Sequence, residues 1–353
     1  MKKFMRLPVI LAIVLTFPIS VYAQISIEDL NTQSPTDLAN TLLGGGISIS
    51  NVTYTGNNSA GGTFNGGTGI VGFEGGVILS SGKTADVVGL NNRDRTTTIF
   101  SLPGDADLQT LTPAYQSLDA AVLEFDFVPD GDTITFQYVL SSEEYNEYVN
   151  ADFNDVFGFF VNGVNVALLP DGVTPVSINT VNGGNPFGVN AQNPNFFINN
   201  DCSDEPCSLN IEADGLTVVL TAVAQVNPGE VNHIKFAISD VDDPILDSWV
   251  FIKAGSFQVV EDNTPPSCAL TFVGQNSEGN LFIEITFSDN ESGLQEILVT
   301  YKANVEVTGH IAGTDFSIGS TSVIVTATKI EQNQNAIVIF KATDVAGNET
   351  ICQ

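Results

Sequence analysis

Two acidic clusters are the residues best equipped for chemistry. Ser142-Glu143-Glu144-Tyr145 is followed by Glu147, Asp152, Asn154 and Asp155, and a second group holds Asp240, Asp242, Asp243 and Asp247. Both fall where apolar alternating runs give way to loops, not along a polar helix face. Calcium takes about six to eight hard oxygens, and carboxylates gathered on loops supply them. If the strand ends meet, Glu143, Glu144, Asp155, Asp240, Asp242, Asp243 and Asp247 make a candidate calcium site. Neither cluster has the spacing of an EF-hand loop, so the geometry has to come from the fold. The plainer alternative is a set of acidic loops that only solvate an acidic protein.

The same acids admit a second chemistry. Two carboxylates flanking a sugar are the minimum for glycoside hydrolysis, and Glu143, Glu144 and Asp155 are the candidates for a polysaccharide-acting hydrolase. Adjacent strand residues point to opposite faces, so only one of Glu143 and Glu144 could face a given cleft. Aromatic rings offer a third possibility, stacking on carbohydrate. Most of the Phe residues are expected in the core, whereas Tyr145 and Tyr148 sit among polar residues and are candidate glycan contacts. Nucleophilic catalysis has no anchor. His233 lies in an alternating strand pattern facing solvent, His310 in a loop, and no G-x-S-x-G elbow surrounds a serine. The paired glycines 61–62, 66–67 and 75–76 lack the phosphate-loop pattern and read as turns and close strand crossings.

The elements that must position these residues follow from composition. The chain has 353 residues, enough for two domains, with 11 Lys and Arg against 41 Asp and Glu, a formal charge of −30. That imbalance excludes a general affinity for nucleic acid or anionic lipid. Hydrophobic residues at 43 % and 23 Phe supply a sizeable core and argue against disorder. Charged residues are only 15 %, well under the usual quarter or so, leaving Asn, Thr, Ser and Gln to make the polar surface. Many β-branched residues and turn formers with few charges predict an all-β secreted protein.

Residues 1–23 read as a secretory signal: Lys2, Lys3 and Arg6, an apolar run from Leu7 to Phe17, and Val21-Tyr22-Ala23 before the expected mature start at Gln24. The apolar run is short for a membrane span, and no second run of spanning length follows. Four cysteines suit an oxidising compartment. Three pairings are possible. The local one, Cys202 with Cys207 and Cys268 with Cys352, is the most economical, and the second bridge would join the first and last strands of a terminal domain. A zinc site competes poorly, because two C-x-x-C knuckles are missing.

Ser34-Pro35-Thr36-Asp37 opens a short helix, with Ser34 as N-cap and Asp37 in the reciprocal position, and Gly44-Gly45-Gly46 ends it. Strand patterns dominate afterwards. Ile47 and Ile49 shift phase to Val52 and Tyr54; residues 122–128 and 134–140 alternate about a turn at Pro129-Asp130-Gly131-Asp132 and read as a β-hairpin; Asn162-Gly163 is a second hairpin turn. Val176-Ser177-Ile178, 216–223, 233–238 and 249–260 read as further strands, and 82–113 as a long loop either functional or ordered by a ligand. The pattern predicts a large β-sandwich or jelly roll over 24–260, with one short N-terminal helix. After a linker at Asp262-Asn263-Thr264-Pro265-Pro266 comes a smaller immunoglobulin-like sandwich over 261–353.

Several blocks resemble the choice-of-anchor L domain of bacteria. They are Asp119-Ala120-Ala121-Val122-Leu123-Glu124-Phe125-Asp126-Phe127-Val128-Pro129, Phe136-Gln137-Tyr138-Val139-Leu140-Ser141-Ser142-Glu143-Glu144-Tyr145, and the run from Phe153 to Gly163. Ala237–Asp243 and Asp247–Phe257 complete the set. The likeness spans roughly 25–260 and includes the opening helix with Gly44-Gly45-Gly46-Ile47. It implies a secreted or surface-displayed protein, with no settled enzymatic activity and no catalytic residue to carry over. Family members differ in their C-terminal anchoring signals. Here Cys352-Gln353 shows no sorting motif, hydrophobic tail or basic cluster, so these residues predict no means of retention. Asp344-Val345-Ala346-Gly347-Asn348 resembles a turn common in bacterial immunoglobulin-like repeats. The combined expectation is a non-catalytic, secreted or surface-associated binding or adhesion protein, stabilised by calcium and partnered by an extracellular glycan or surface protein. The polysaccharide-acting hydrolase is the alternative.

Overall fold

A computed structural model describes residues 24–92, 95–203, 207, 209–260, 264–289, 292–331 and 333–352. The expected signal (1–23) and Asp262-Asn263 of the expected linker lie outside the described residues. Up to residue 260 the strands are β1 (Ser26–Asp29), β2 (Ile47–Thr55), β3 (Gly61–Asn65), β4 (Gly75–Ser80), β5 (Ser117–Pro129), β6 (Thr133–Ser142) and β7 (Val156–Val161). They continue with β8 (Val164–Asn165), β9 (Phe197–Asn199), β10 (Gly215–Thr217), β11 (Leu220–Gln225), β12 (Asn232–Val241), β13 (Ser248–Lys253) and β14 (Gln258–Val259). One sheet runs β1-β3-β4-β13-β6-β10-β9, with β11 and β14 also on β6; the facing sheet runs β2-β5-β12-β7-β8. The architecture is all-β, a sandwich of antiparallel sheets.

Local chemistry explains the parts that sequence anticipates. In helix α1 (Pro35–Leu42) the Asp37 amide donates to Ser34 Oγ, and the Ser34 amide donates to Asp37 Oδ2 at 2.9 Å, a closed capping box. Leu38, Ala39 and Leu42 form its buried stripe. The phase shift in β2 is a bulge between Ser50 and Thr53, with Asn51 at φ 53°. Asn162 (φ 50°) and Gly163 (φ 83°) turn β7 into β8, the left-handed pair that a two-residue hairpin requires.

The hairpin expected across 122–140 is not one. β5 pairs with β2 and β12, whereas β6 pairs with β10, β11, β13 and β14, so the turn at 130–132 carries the chain from one sheet to the other. Alternation is the same whether two strands lie side by side or face each other across a core. Here they face: Phe125 and Phe127 from β5 and Phe136 from β6 all pack on Phe257, with ring centres 5.6, 5.1 and 5.9 Å apart. The strand expected at Val176-Ser177-Ile178 is reduced to a single bridge between Ser177 and Val156, because Thr180 Oγ1 takes the Ser177 amide and turns the chain.

Beyond residue 264, β15 (Ser267–Gln275), β16 (Leu281–Ser288), β17 (Leu294–Ala303), β18 (Val305–Thr308), β19 (Ser322–Lys329), β20 (Ile337–Asp344) and β21 (Glu349–Cys352) make a four-stranded sheet, β15-β16-β19-β18, and a three-stranded one, β17-β20-β21. They enclose their own core around Phe287, Leu294, Val325 and Phe340. Both expected disulfides are present. Cys202–Cys207 closes a short loop, and Cys268–Cys352 ties β15 to β21 across 84 residues of sequence. Among the described residues no helix is long and apolar enough to cross a membrane.

Candidate functional site

Strand register brings the acids to one end of the sandwich. β13 lies between β4 and β6, with Ser248 opposite Ser142 and Trp249 opposite Ser80. On the facing sheet Asp240 lies opposite Leu118, and Ser239 opposite Val156, the neighbour of Asp155. The ends of β4, β6 and β12 and the starts of β5, β7 and β13 therefore converge. Glu143, Glu144, Asp155, Asp240 and Asp247 are between 0 and 2 % exposed there. Ser80, Ser81, Ser141, Ser142, Ser239 and Ser248, also fully buried, line the same end.

The hydrogen bonds are specific. Ser248 Oγ donates to Asp155 Oδ2 at 2.7 Å and lies 2.8 Å from Ser142 Oγ, while the Val241 amide donates to Asp155 Oδ1 at 3.1 Å. Gly82 makes room for Asp247: a Cβ at position 82 would fall 1.9 Å from Asp247 Oδ2. Across this end lies an extended segment outside both sheets. The Thr96 amide donates to Glu143 Oε2 (2.9 Å), that of Thr98 to both Asp247 oxygens (3.0 Å each), and those of Phe100 and Leu102 to the two oxygens of Asp119. Every second amide points inward, as extended backbone dictates.

Among the described residues no Lys, Arg or His forms an ion pair with any of the five buried acids. Their carboxyls rise accordingly. Burial, with Asp214 and Glu212 nearby, pushes Glu143 up to about 10 against the pull of the Thr96 amide. Burial, then Asp155 and Asp243, pushes Glu144 up to about 10. Asp155 and Asp247 rise to about 8, again chiefly through burial, although Ser248 and Val241 hold the first down and Thr98 the second. Asp240 stands well above the carboxylate range through burial and Asp155, with the Ser81 hydroxyl beside it lowering it in part. Glu143 Oε1, Glu144 Oε2 and both Asp240 carboxylate oxygens are buried with no hydrogen-bond partner.

The profile of the choice-of-anchor L domain matches residues 26–258, the whole sandwich with its acidic end. The chain belongs to the choice-of-anchor L domain family. This is a non-enzymatic domain type of bacterial surface-associated proteins. No curated protein matches the chain.

Not every expected site residue joins the acidic end of this choice-of-anchor L domain. Asp242 is exposed, and Asp243 is half-buried and accepts the Ile245 amide. Tyr145 is not an exposed glycan contact: it is fully buried, its ring 4.7 Å from that of Phe197, in space that Gly215 leaves free. Its polar neighbours Glu143, Glu144 and Asn146 are themselves buried. Tyr148 is half-buried, edge-on to Phe153 at 5.6 Å. His233 faces solvent as expected, between Asp126 (2.9 Å) and Glu124 (3.4 Å). Asp119, Glu212, Asp214 and the amides of 96–102 were not among the candidates. A Thr-Thr-Thr-Ile-Phe run inside a loop, and an Asp starting an apolar strand, were the available signals.

Calcium suits this donor set in chemistry: hard oxygens, four of them buried and unpartnered, and among the described residues no ion pair to them. Among the described residues no three acidic, His or Cys side chains gather closely enough to hold a metal by themselves. An ion would therefore need a mixed shell, completing a few carboxylates with serine hydroxyls and backbone carbonyls, which calcium accepts.

Proposed function

We propose that this chain is a non-catalytic binding or adhesion module of the bacterial exterior, with calcium stabilising the acidic end of its sandwich. The observation that carries this is the burial of five acids at one end with no ion pair to a Lys, Arg or His among the described residues. Glu144 and Asp240, each beside Asp155, would provide unpartnered oxygens, with Asp247 near Asp240 and Glu143 on the opposite face of its strand end. The cation would supply positive charge to balance these acids. The hydrolase alternative finds no support in access. Its three carboxylates are buried, and a cavity of about 880 Å³ walled by Thr135, Gln137, Lys253 and Ser256 has no carboxylate among its described lining residues. Glycan or protein partners would meet surfaces other than Tyr145.

Thermal unfolding of residues 24–353 with calcium and with chelator tests the cation. Binding to the native state alone stabilises by roughly 2.7 kcal/mol at a hundredfold excess over the dissociation constant. A clear calcium-dependent rise in Tm is expected. An unchanged Tm at millimolar calcium would leave the acids structural and remove calcium from the proposal.

A further inference from the structure

We propose that the cleft between the sandwich and the terminal module binds an acidic oligosaccharide, with Lys253 receiving a uronate carboxylate. The proposal rests on the binding-module reading above, adds a site and a ligand class to it, and does not involve calcium. The cavity of about 880 Å³ lies on the outer face of the sheet that contains β6, β11, β13 and β14. Along β6 the side chains of Ile134, Phe136 and Tyr138 are buried in the core, so Thr135 and Gln137 project from the opposite face. Thr221 on β11 lies opposite Gln137, and Gln258 on β14 lies opposite Thr135. Residues of the terminal module, Ser292, Gly319 and Val345, complete the wall. The volume falls within the range of about 300–1,000 Å³ that ligand clefts occupy.

Lys253 is held in place within this cleft. Its Nζ donates to Gln137 Oε1 at 2.6 Å. Ser256, only 9 % exposed, donates its hydroxyl to the Lys253 carbonyl at 2.7 Å and accepts the Gln137 amide at 3.1 Å. An ammonium has three donors, and Gln137 takes one of them. Among the described residues Lys253 forms no ion pair, although the chain carries 41 Asp and Glu. It is also the only charged group among the described residues of the wall. An ammonium so placed is complementary to a ligand carboxylate, through a charge-assisted bond. The rest of the wall selects a saccharide. Thr, Ser and Gln side chains both donate and accept, as sugar hydroxyls do. Three valines are the only apolar side chains among the described wall residues, with no aromatic ring, so a hydrophobic ligand gains little there. The formal charge of −30 opposes an anion at a distance, but physiological salt screens it beyond about 8 Å and leaves contacts in the cleft to decide.

Isothermal titration of residues 24–353 in chelator tests this, with galacturonate and mannuronate tetramers and their carboxyl-reduced, neutral counterparts. An acidic tetramer should bind, and its neutral counterpart should bind at least roughly tenfold more weakly. Lys253→Gln should weaken the acidic tetramer by roughly tenfold to a hundredfold, the worth of a hydrogen bond to a charged group, and leave the neutral one unchanged. Thr221→Trp, which fills the cleft from β11, should abolish binding with Tm unchanged. If an acidic tetramer binds the wild type and both variants equally, the cleft is overturned and the binding-module reading stands with its site elsewhere. If the neutral tetramers bind as tightly as the acidic ones, the role of Lys253 and the acidic class are overturned. If no tetramer binds at millimolar concentration, the cleft assignment fails and a protein partner remains the binding reading.

Discussion

Raising the pH in chelator should destabilise this protein over a range where many proteins are at their most stable. Ordinary carboxyls titrate near 4 in an unfolded chain. In the fold Asp155 and Asp247 hold their protons to about 8, and Glu143 and Glu144 to about 10. Between these limits the native state binds more protons than the unfolded state, so stability is greatest below about pH 4 and falls as pH rises. Each group contributes a slope of ~1.4 kcal/mol per pH unit. Four independent groups would give up to ~5 kcal/mol per unit, an upper bound because neighbouring acids hinder one another's ionisation. A single group already removes ~2.7 kcal/mol between pH 5 and 7, against a usual total of about 5–15 kcal/mol. At about 2–4 °C per kcal/mol for a domain of this size, Tm should drop by at least ~5 °C over that interval. The assay is calorimetry from pH 4.5 to 9 in chelator and about 0.5 M salt, which screens the exposed charges but not the buried ones. Saturating calcium, by ionising the acids in the fold, should flatten the slope. A Tm constant from pH 5 to 8 in chelator would refute the reasoning, and a slope that calcium leaves untouched would refute the cation's part in it.

Two further outcomes follow from packing and chain connectivity. Gly82→Ala places a methyl group against both Asp247 oxygens and should cost about 1–3 kcal/mol, more if the Thr98 bonds are lost, read as a lower Tm. Replacing both Cys268 and Cys352 with Ala opens a loop of 84 residues and should lower the stability of the terminal module by about 4.5 kcal/mol on the chain-entropy model. Loss of the five-residue Cys202–Cys207 bridge should cost about 2 kcal/mol, a difference that denaturant titration resolves.

Local codes were legible and long-range ones were not. Ser34 and Asp37 cap a helix because both partners lie within four residues, and Asn162-Gly163 turns a hairpin because its dihedrals are a property of two residues. The β5–β6 connection misled because alternation records which face is apolar, not which strand is the neighbour. Tyr145 misled for a related reason: Glu143, Glu144 and Asn146 around it look like a surface, yet all are buried. Convergence of the two acidic clusters was foreseeable from their positions at strand ends. The segment that covers them was not, since backbone amides have no signature in side-chain types. Its partner Asp119 lay inside a family block as an unremarked strand residue.

A raised carboxyl is what a general acid in glycoside hydrolysis needs, so the titration of Glu143 and Asp155 does not by itself separate metal ligand from catalyst. Access and partnership do. A hydrolase presents its acids to a sugar with hydrogen-bonding capacity still available, whereas Asp155 is held on both oxygens by Ser248 and Val241 and Asp247 on both by Thr98. Glu143 keeps one free oxygen, and that oxygen is buried on a side chain with Asp214 and Glu212 nearby. An arrangement in which the chain's own amides and hydroxyls occupy several of the carboxylates, and the remaining oxygens are buried, gives a saccharide no access to them. On the proposed reading, the acidic end of this choice-of-anchor L domain holds the module together, and recognition would fall to its exposed faces.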